Sequence, residues 1–185
     1  MKCRLLSAFV ALSALLVVGC SSKKVSSASS RDDLEASARS ALSHLYETTP
    51  GSSSLASRAS GILVFPSILE GGFVVSGAYG DGVLFEGGRA TGFYNTASAS
   101  FGLLAGVDKY GYALFLMSPE DLQYLKKSDG WELGVGPNVT LVDQGSAASY
   151  SSTTARRGIY AFFFNQRGLM AGISLKGAKI SKMAS

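Results

Sequence analysis

Histidine, cysteine and paired carboxylates are the side chains through which this sequence could do chemistry, and they are few. There is one histidine, His44, and two cysteines, Cys3 and Cys20. A hydrolytic triad needs a nucleophile, a base beside it and a group that orients the base; His44 sits in a stretch of helical periodicity with no such partners in its pattern, and reads as a helix-surface residue. A zinc site needs several cysteine, histidine or carboxylate ligands converging, which this inventory does not offer. Glu70, Asp81, Glu86, Asp108 and Asp143 could pair for acid-base work, but their spacing singles out no pair. The run Gly77-Ala78-Tyr79-Gly80-Asp81-Gly82 has the glycine content of a phosphate loop, yet such a loop opens into a helix, and here more strand-like sequence follows. The expectation is a protein that is not an enzyme and needs neither cofactor nor metal.

Cys20 is the exception, because its surroundings give it a different chemistry. Lys2 and Arg4 precede an apolar run over residues 5–18, too short for a typical spanning helix, and Gly19-Cys20 follows. This is a secretory signal over residues 1–19, and Val17-Val18-Gly19-Cys20 resembles a bacterial lipobox, in which the cysteine is acylated and becomes the first mature residue. Ser21 after the cysteine resembles the sorting choice for the outer membrane. The expected location is therefore a lipid anchor in the bacterial cell envelope, at the outer membrane. Cys3 leaves with the signal, so no thiol remains for a disulfide or for catalysis. Residues 20–30 hold the acylated cysteine and a polar tether, and the ten residues 21–30 would place the folded domain, 31–185, about 18 Å from its anchor.

Charge adds one asymmetry. Without Lys2 and Arg4 the seventeen basic residues become fifteen against thirteen acidic ones, a net charge of +2. Nothing in that balance points to nucleic acid. After Asp143, however, no carboxylate side chain follows, whereas Arg156, Arg157, Arg167, Lys176, Lys179 and Lys182 do. These six are the candidate contacts for anionic phospholipid headgroups, and a solvated basic rim is the alternative.

The elements that must position these groups follow from periodicity. Leu34, Ala38, Ala41, Leu42, Leu45 and Tyr46 recur on one helical face, with Ser30 and Asp33 as a capping box and Pro50-Gly51 as the stop. A short second helix runs from a cap among Ser52 to Ser54 to a stop at Gly61. Gly61-Ile62-Leu63-Val64-Phe65-Pro66 then reads as a buried strand ended by Pro66, with a turn through Ser67 to Glu70 and a glycine-rich strand from Gly71 to Leu84. Strand material follows at Thr91 to Asn95, Phe101 to Val107 and Tyr110 to Met117; the last two form either one bent strand or a hairpin through Asp108-Lys109. Ser118 caps an inserted helix with Pro119 at its first position, and Asp129-Gly130 closes it. Trp131, Leu133, Val135, Val139 and Leu141 have the period of two of a half-buried strand. Ile159 to Phe164 is apolar on both faces, with Leu169 to Leu175 as its hairpin partner through Asn165-Gln166-Arg167-Gly168, and Ala178 to Ser181 adds a strand. The fold class is α+β, dominated by β: a curved or closed, barrel-like antiparallel sheet with N-terminal helices and one inserted helix.

Four blocks resemble the SYLF domain family of bacterial lipoproteins and eukaryotic actin-patch and endosomal proteins. They are Gly61 to Pro66 with the glycine strand; Phe93-Tyr94-Asn95 leading to Ser100-Phe101-Gly102-Leu103; Gly130-Trp131-Glu132-Leu133-Gly134-Val135-Gly136-Pro137; and Tyr160-Ala161-Phe162 through Gly168-Leu169-Met170-Ala171-Gly172. The resemblance spans residues 58–180. It implies membrane-lipid binding, with phosphoinositides preferred among eukaryotic members, filamentous-actin binding in some fungal ones, and no enzyme activity. Ser60 stands where many members have lysine and Leu104 where bacterial members often have glutamine. The basic amphipathic leader of eukaryotic members is missing, since the helix around Asp32 starts acidic. The implied partners are membrane lipids, anionic phospholipids among them, or, on a second reading as a structural or host-interaction lipoprotein, a protein such as actin or an envelope component.

Overall fold

A computed structural model describes residues 28–72, 75–101, 106–128, 130–133, 135–142, 158–167 and 177–184. Its helices are α1 (Ala28–Thr48), α2 (Ser52–Ala56) and α3 (Pro119–Lys127). Its strands are β1 (Gly61–Gly72), β2 (Val75–Glu86), β3 (Arg89–Phe101), β4 (Gly106–Leu116), β5 (Trp131–Glu132), β6 (Val139–Val142), β7 (Ile159–Arg167) and β8 (Lys179–Lys182). The expected β-dominated α+β class holds. All eight strands form one open, strongly curled sheet, a half-barrel in the order β5-β8-β3-β2-β1-β4-β7-β6.

The centre of this sheet is a Greek key. β1, β2 and β3 pair in succession and β4 returns to lie beside β1, giving the spatial order 3-2-1-4. Pro66 does not end the first strand. It sits in a bulge: against β4, Phe65 pairs with Tyr112 and Ile68 with Tyr110, so Pro66 and Ser67 together face Gly111. Against β2, Phe65 and Pro66 face Gly82. A proline has no N–H to give a ladder, but a bulge asks for none at that position. Glycine opposite the bulge makes room for it, since a Cβ at Gly82 would lie 2.6 Å from the Phe65 ring and 2.7 Å from the Val64 carbonyl oxygen. The turn expected at residues 67–70 is therefore continuous strand.

Other boundaries also move. α1 begins at Ala28, taking in the last residues of the expected tether, so Ser30 lies inside its first turn instead of capping it. α2 starts after Gly51, in the left-handed conformation at φ 86°, and its C-cap is Ser57; Gly61 already belongs to β1. β4 runs straight through Asp108-Lys109, with no hairpin there. The capping box at Ser118 forms as expected, with Asp121 as its reciprocal partner. The alternating run from Trp131 to Leu141 is two short strands, broken at Leu133 and by Gly136 at φ 106° and Pro137; Val135 and Leu141 are exposed. β6 pairs with β7 in parallel, against the expected antiparallel order, and the sixteen residues between them are enough for a crossover. β7 continues through Arg167, where a turn was expected, with Asn165 at φ 54°. The expected strand from Leu169 to Leu175 lies outside the described residues.

Each face of the sheet has its own core. Leu63, Phe65, Tyr112, Leu114, Ile159, Ala161 and Ile180 point to the inner, concave face, closed by Leu122 and Leu125 of α3 with Trp131 and Leu133. Ile62, Val64, Ala113, Phe115, Tyr160 and Phe162 point to the outer face, where Ala38, Ala41, Leu42 and Leu45 of α1 and Leu55 of α2 cover them. β1, β4 and β7 are thus buried on both sides along much of their length. This is why they read as continuous apolar runs instead of alternating.

Candidate functional site

Of the residues expected to carry function, Cys20, Arg156, Arg157 and Lys176 lie outside the described residues. Arg167 ends β7, and Lys179 and Lys182 lie on β8, strands separated in the sheet by β4, β1, β2 and β3. They do not form one contiguous patch. On β8, Lys179 and Lys182 have opposite parity, and Ile180 between them is buried in the inner core.

The register instead builds a row that the sequence reading missed. Lys179 pairs with Ala97, Ala97 with Tyr79, Tyr79 with Leu69, Leu69 with Lys109, and Lys109 with Arg167. Directly paired residues in an antiparallel ladder share a face. Lys179, Tyr79, Leu69 and Lys109 are all exposed on the outer face, near the end where β1 passes into β2. One step nearer that end, Val107 pairs with Gly71, and Val75 opens β2. Leu69 is 58% exposed, Tyr79 53%, Val75 52% and Val107 73%.

This apolar surface continues the face that α1 covers further along. Where α1 leaves it, a groove of about 1060 Å³ remains, lined by Leu34, Ser37 and His44 of α1 and by Leu69, Tyr79 and Lys109 of the sheet. The Tyr79 hydroxyl donates to Asp81 Oδ1 at 2.7 Å. Desolvation, together with that hydrogen bond and the Asp81 charge, pushes the Tyr79 phenol up to about 12, so it stays a neutral donor at physiological pH. In sequence, Leu69, Tyr79 and Val107 look like ordinary strand apolar positions. Only the path of α1 shows that nothing in the described chain covers them.

The carboxylates are separated into different roles. Glu86 holds Lys126 of α3 in an ion pair at 2.7 Å, and Asp81 accepts from Tyr79. Glu70 and Asp108 are cross-strand partners on the inner face beside Tyr110. Burial, and then the charge and hydrogen bond of Glu70 and the charge of Asp108, raise the Tyr110 phenol well above its ordinary value. Asp108 Oδ1 accepts from the Lys109 N–H at 2.7 Å, and Oδ2 is buried without a hydrogen-bond partner. His44 is exposed on α1, as expected. Among the described residues, no three His, Cys, Asp or Glu side chains converge to hold a metal ion, and no helix is long and apolar enough to cross a membrane.

A family model described as "Ysc84: Las17-binding protein actin regulator" matches residues 97–185. This is the SYLF family that the four sequence blocks resemble, and the match covers the second half of the chain. Among curated proteins none matches this chain. The SYLF match begins inside β3 and contains β4, α3 and β5 to β8, and with them Val107, Lys109, Arg167, Lys179 and Lys182. Leu69 and Tyr79 precede it in sequence, but β1 and β2 lie between β3 and β4 in the sheet. The exposed row is therefore shared between the SYLF-matched strands and the hairpin they enclose. Of the two departures from the SYLF pattern, Ser60 lies just ahead of β1 and donates its N–H to the Leu116 carbonyl at 2.8 Å. Leu104 is outside the described residues.

Proposed function

We propose that this protein is an envelope lipoprotein, acylated at Cys20 and anchored at the outer membrane, whose SYLF domain binds anionic phospholipid surfaces without catalysing a reaction. The observation that carries this reading is the register row itself: Lys109 and Lys179 are exposed on one face of the sheet, with Leu69 and Tyr79 between them. Each cation near an anionic surface contributes about 1 kcal/mol, within a Debye length of about 8 Å at physiological salt. The lipid anchor supplies the standing attachment that a few such charges do not, because stable membrane association takes two signals. Arg156, Arg157 and Lys176 add to the positive end of the sequence.

Two measurements test the reading. Intact mass of the membrane-extracted protein is expected to show a mature chain beginning at acylated Cys20; an unmodified Cys20, or a Cys20→Ala variant processed and retained unchanged, removes the anchor. Flotation of the chain lacking residues 1–20, once circular dichroism confirms its β-rich fold, is expected on vesicles containing phosphatidylglycerol. It should weaken with Lys109→Glu plus Lys179→Glu and with added salt. Binding indifferent to lipid charge sinks the headgroup reading.

The description of the matched family as an actin regulator favours a second reading, in which the same face meets a protein. Co-sedimentation with filamentous actin in the absence of lipid decides for it.

A further inference from the structure

Seven large apolar side chains are prominently exposed among the described residues, and four of them, Leu69, Val75, Tyr79 and Val107, gather at one end of the outer face. Leu69 and Tyr79 are directly paired, and Val107 is diagonal to Leu69 across β1 and β4. A cross-strand diagonal spans about 7 to 8 Å, so these three are contiguous. Gly71 and Gly77, paired with each other, leave the surface low between Val107 and Val75. Lys109 projects beside Leu69, and Asp81, the nearby carboxylate of this face, is engaged by the Tyr79 hydroxyl. Glu70 and Asp108 have the opposite parity and belong to the inner face. An apolar centre with a cationic flank and a phenol at its margin has the chemistry of the boundary between acyl chains and phosphate headgroups, where aromatic rings and lysines hold interfacial elements.

Building on the lipid-binding reading above, we infer that this end of the half-barrel is the membrane-contacting surface. Leu69 and Val107 enter the headgroup–acyl boundary of an anionic bilayer, with Lys109 at the phosphates. Binding then has a salt-resistant apolar part in addition to its electrostatic part. The opposite end of the sheet, with α2 and the turn at Gly87 and Gly88, faces away.

The cysteine inventory makes the test direct, because Cys3 and Cys20 are the only thiols. In the chain lacking residues 1–20, which has no thiol of its own, an environment-sensitive dye is attached at Val107→Cys or, as the control on α2, at Ser53→Cys. The Val107 dye is expected to shift to the blue on vesicles of phosphatidylcholine with phosphatidylglycerol, less on phosphatidylcholine alone, and to keep part of its shift at high salt. The Ser53 dye is expected to stay water-like. Adding Leu69→Gln should lower the insertion equilibrium read by the Val107 dye about tenfold, the loss of one inserted leucine. A Val107 dye that stays water-like while the domain floats on anionic vesicles overturns this surface and leaves the lipid-binding reading standing. Equal shifts at both positions also overturn it, because the domain then has no preferred face. Failure of the domain to float at all removes both. A wild-type dimer in analytical ultracentrifugation that Leu69→Gln dissociates means that a second copy covers this face instead.

Discussion

Trp131 shows how much a single side chain carries in this fold. It is 1% exposed, its indole N–H donates to the Val135 carbonyl at 3.1 Å, and Tyr124 meets it edge-on at 6.2 Å. It joins the short β5 and the end of α3 to the inner core, so its removal leaves a cavity whose walls come from several elements. Trp131→Ala is expected to cost roughly 3 to 5 kcal/mol in equilibrium unfolding by denaturant. A variant with an unchanged midpoint would contradict the packing. The burial of Trp131 and Leu133 was legible from their alternation with polar neighbours. The exposure of Val135 was not, because the alternation continues in sequence after the backbone has turned at Leu133 and Gly136.

Among the elements, α3 is the one whose sequence predicts most about it. Ser118 and Asp121 cap it reciprocally, Glu120 and Asp121 sit in its first turn and Lys126 and Lys127 in its last, and each choice agrees with the helix dipole. Where it docks is a tertiary matter, set by Leu122 and Leu125 in the inner core and by Lys126 on Glu86 of β2. Burial by itself would raise the Glu86 carboxyl, but the hydrogen bonds from Lys126 and Thr91 and the charge of Lys126 outweigh it and hold the group below its ordinary 4.5. A carboxylate depressed by folding contributes its stability in full above the unfolded value and loses it as pH falls through the folded one. The contribution of this pair should therefore be present in full above the ordinary carboxyl value of 4.5 and be lost as pH falls below it, and at a partly exposed site it is worth under about 1 kcal/mol. Lys126→Met is expected to lower stability at neutral pH and to flatten the acid limb of a stability-against-pH curve. An acid limb identical to wild type would mean that the pair does not link β2 to α3 energetically.

At the scale of the molecule, the two cores are not independent, because both are built on β1, β4 and β7. Phe65 serves the inner face and Val64 the outer one; Leu114 and Phe115 divide in the same way. Losing either core strips one side from the same strands. Leu45→Ala in α1, which damages the outer core only, and Trp131→Ala, which damages the inner one, are both expected to shift a single cooperative thermal transition, followed alike by far-ultraviolet circular dichroism and by tyrosine fluorescence. Leu45→Ala should cost about 2 to 5 kcal/mol. Two resolved transitions in either variant would show that α1 and its face unfold separately from the half-barrel.

The β-rich class, the helices, the capping of α3 and the double-sided burial of β1 and β7 were all readable in the chain, because they follow from local periodicity and from residue types with strong backbone preferences. The glycines of β2 were readable as signs of a close approach or bulge, though not of what approaches. Register and strand order were not. A period of two is the same whether a strand meets one neighbour or another, and nothing local tells Pro66 in a bulge from Pro66 at a strand end. The exposed row from Lys179 to Lys109 depends on long-range pairing of five strands and on how far α1 extends across them. The individual residues were plain in the sequence, but only the tertiary structure decides that Leu69, Tyr79 and Lys109 become neighbours and that the described residues leave their face uncovered.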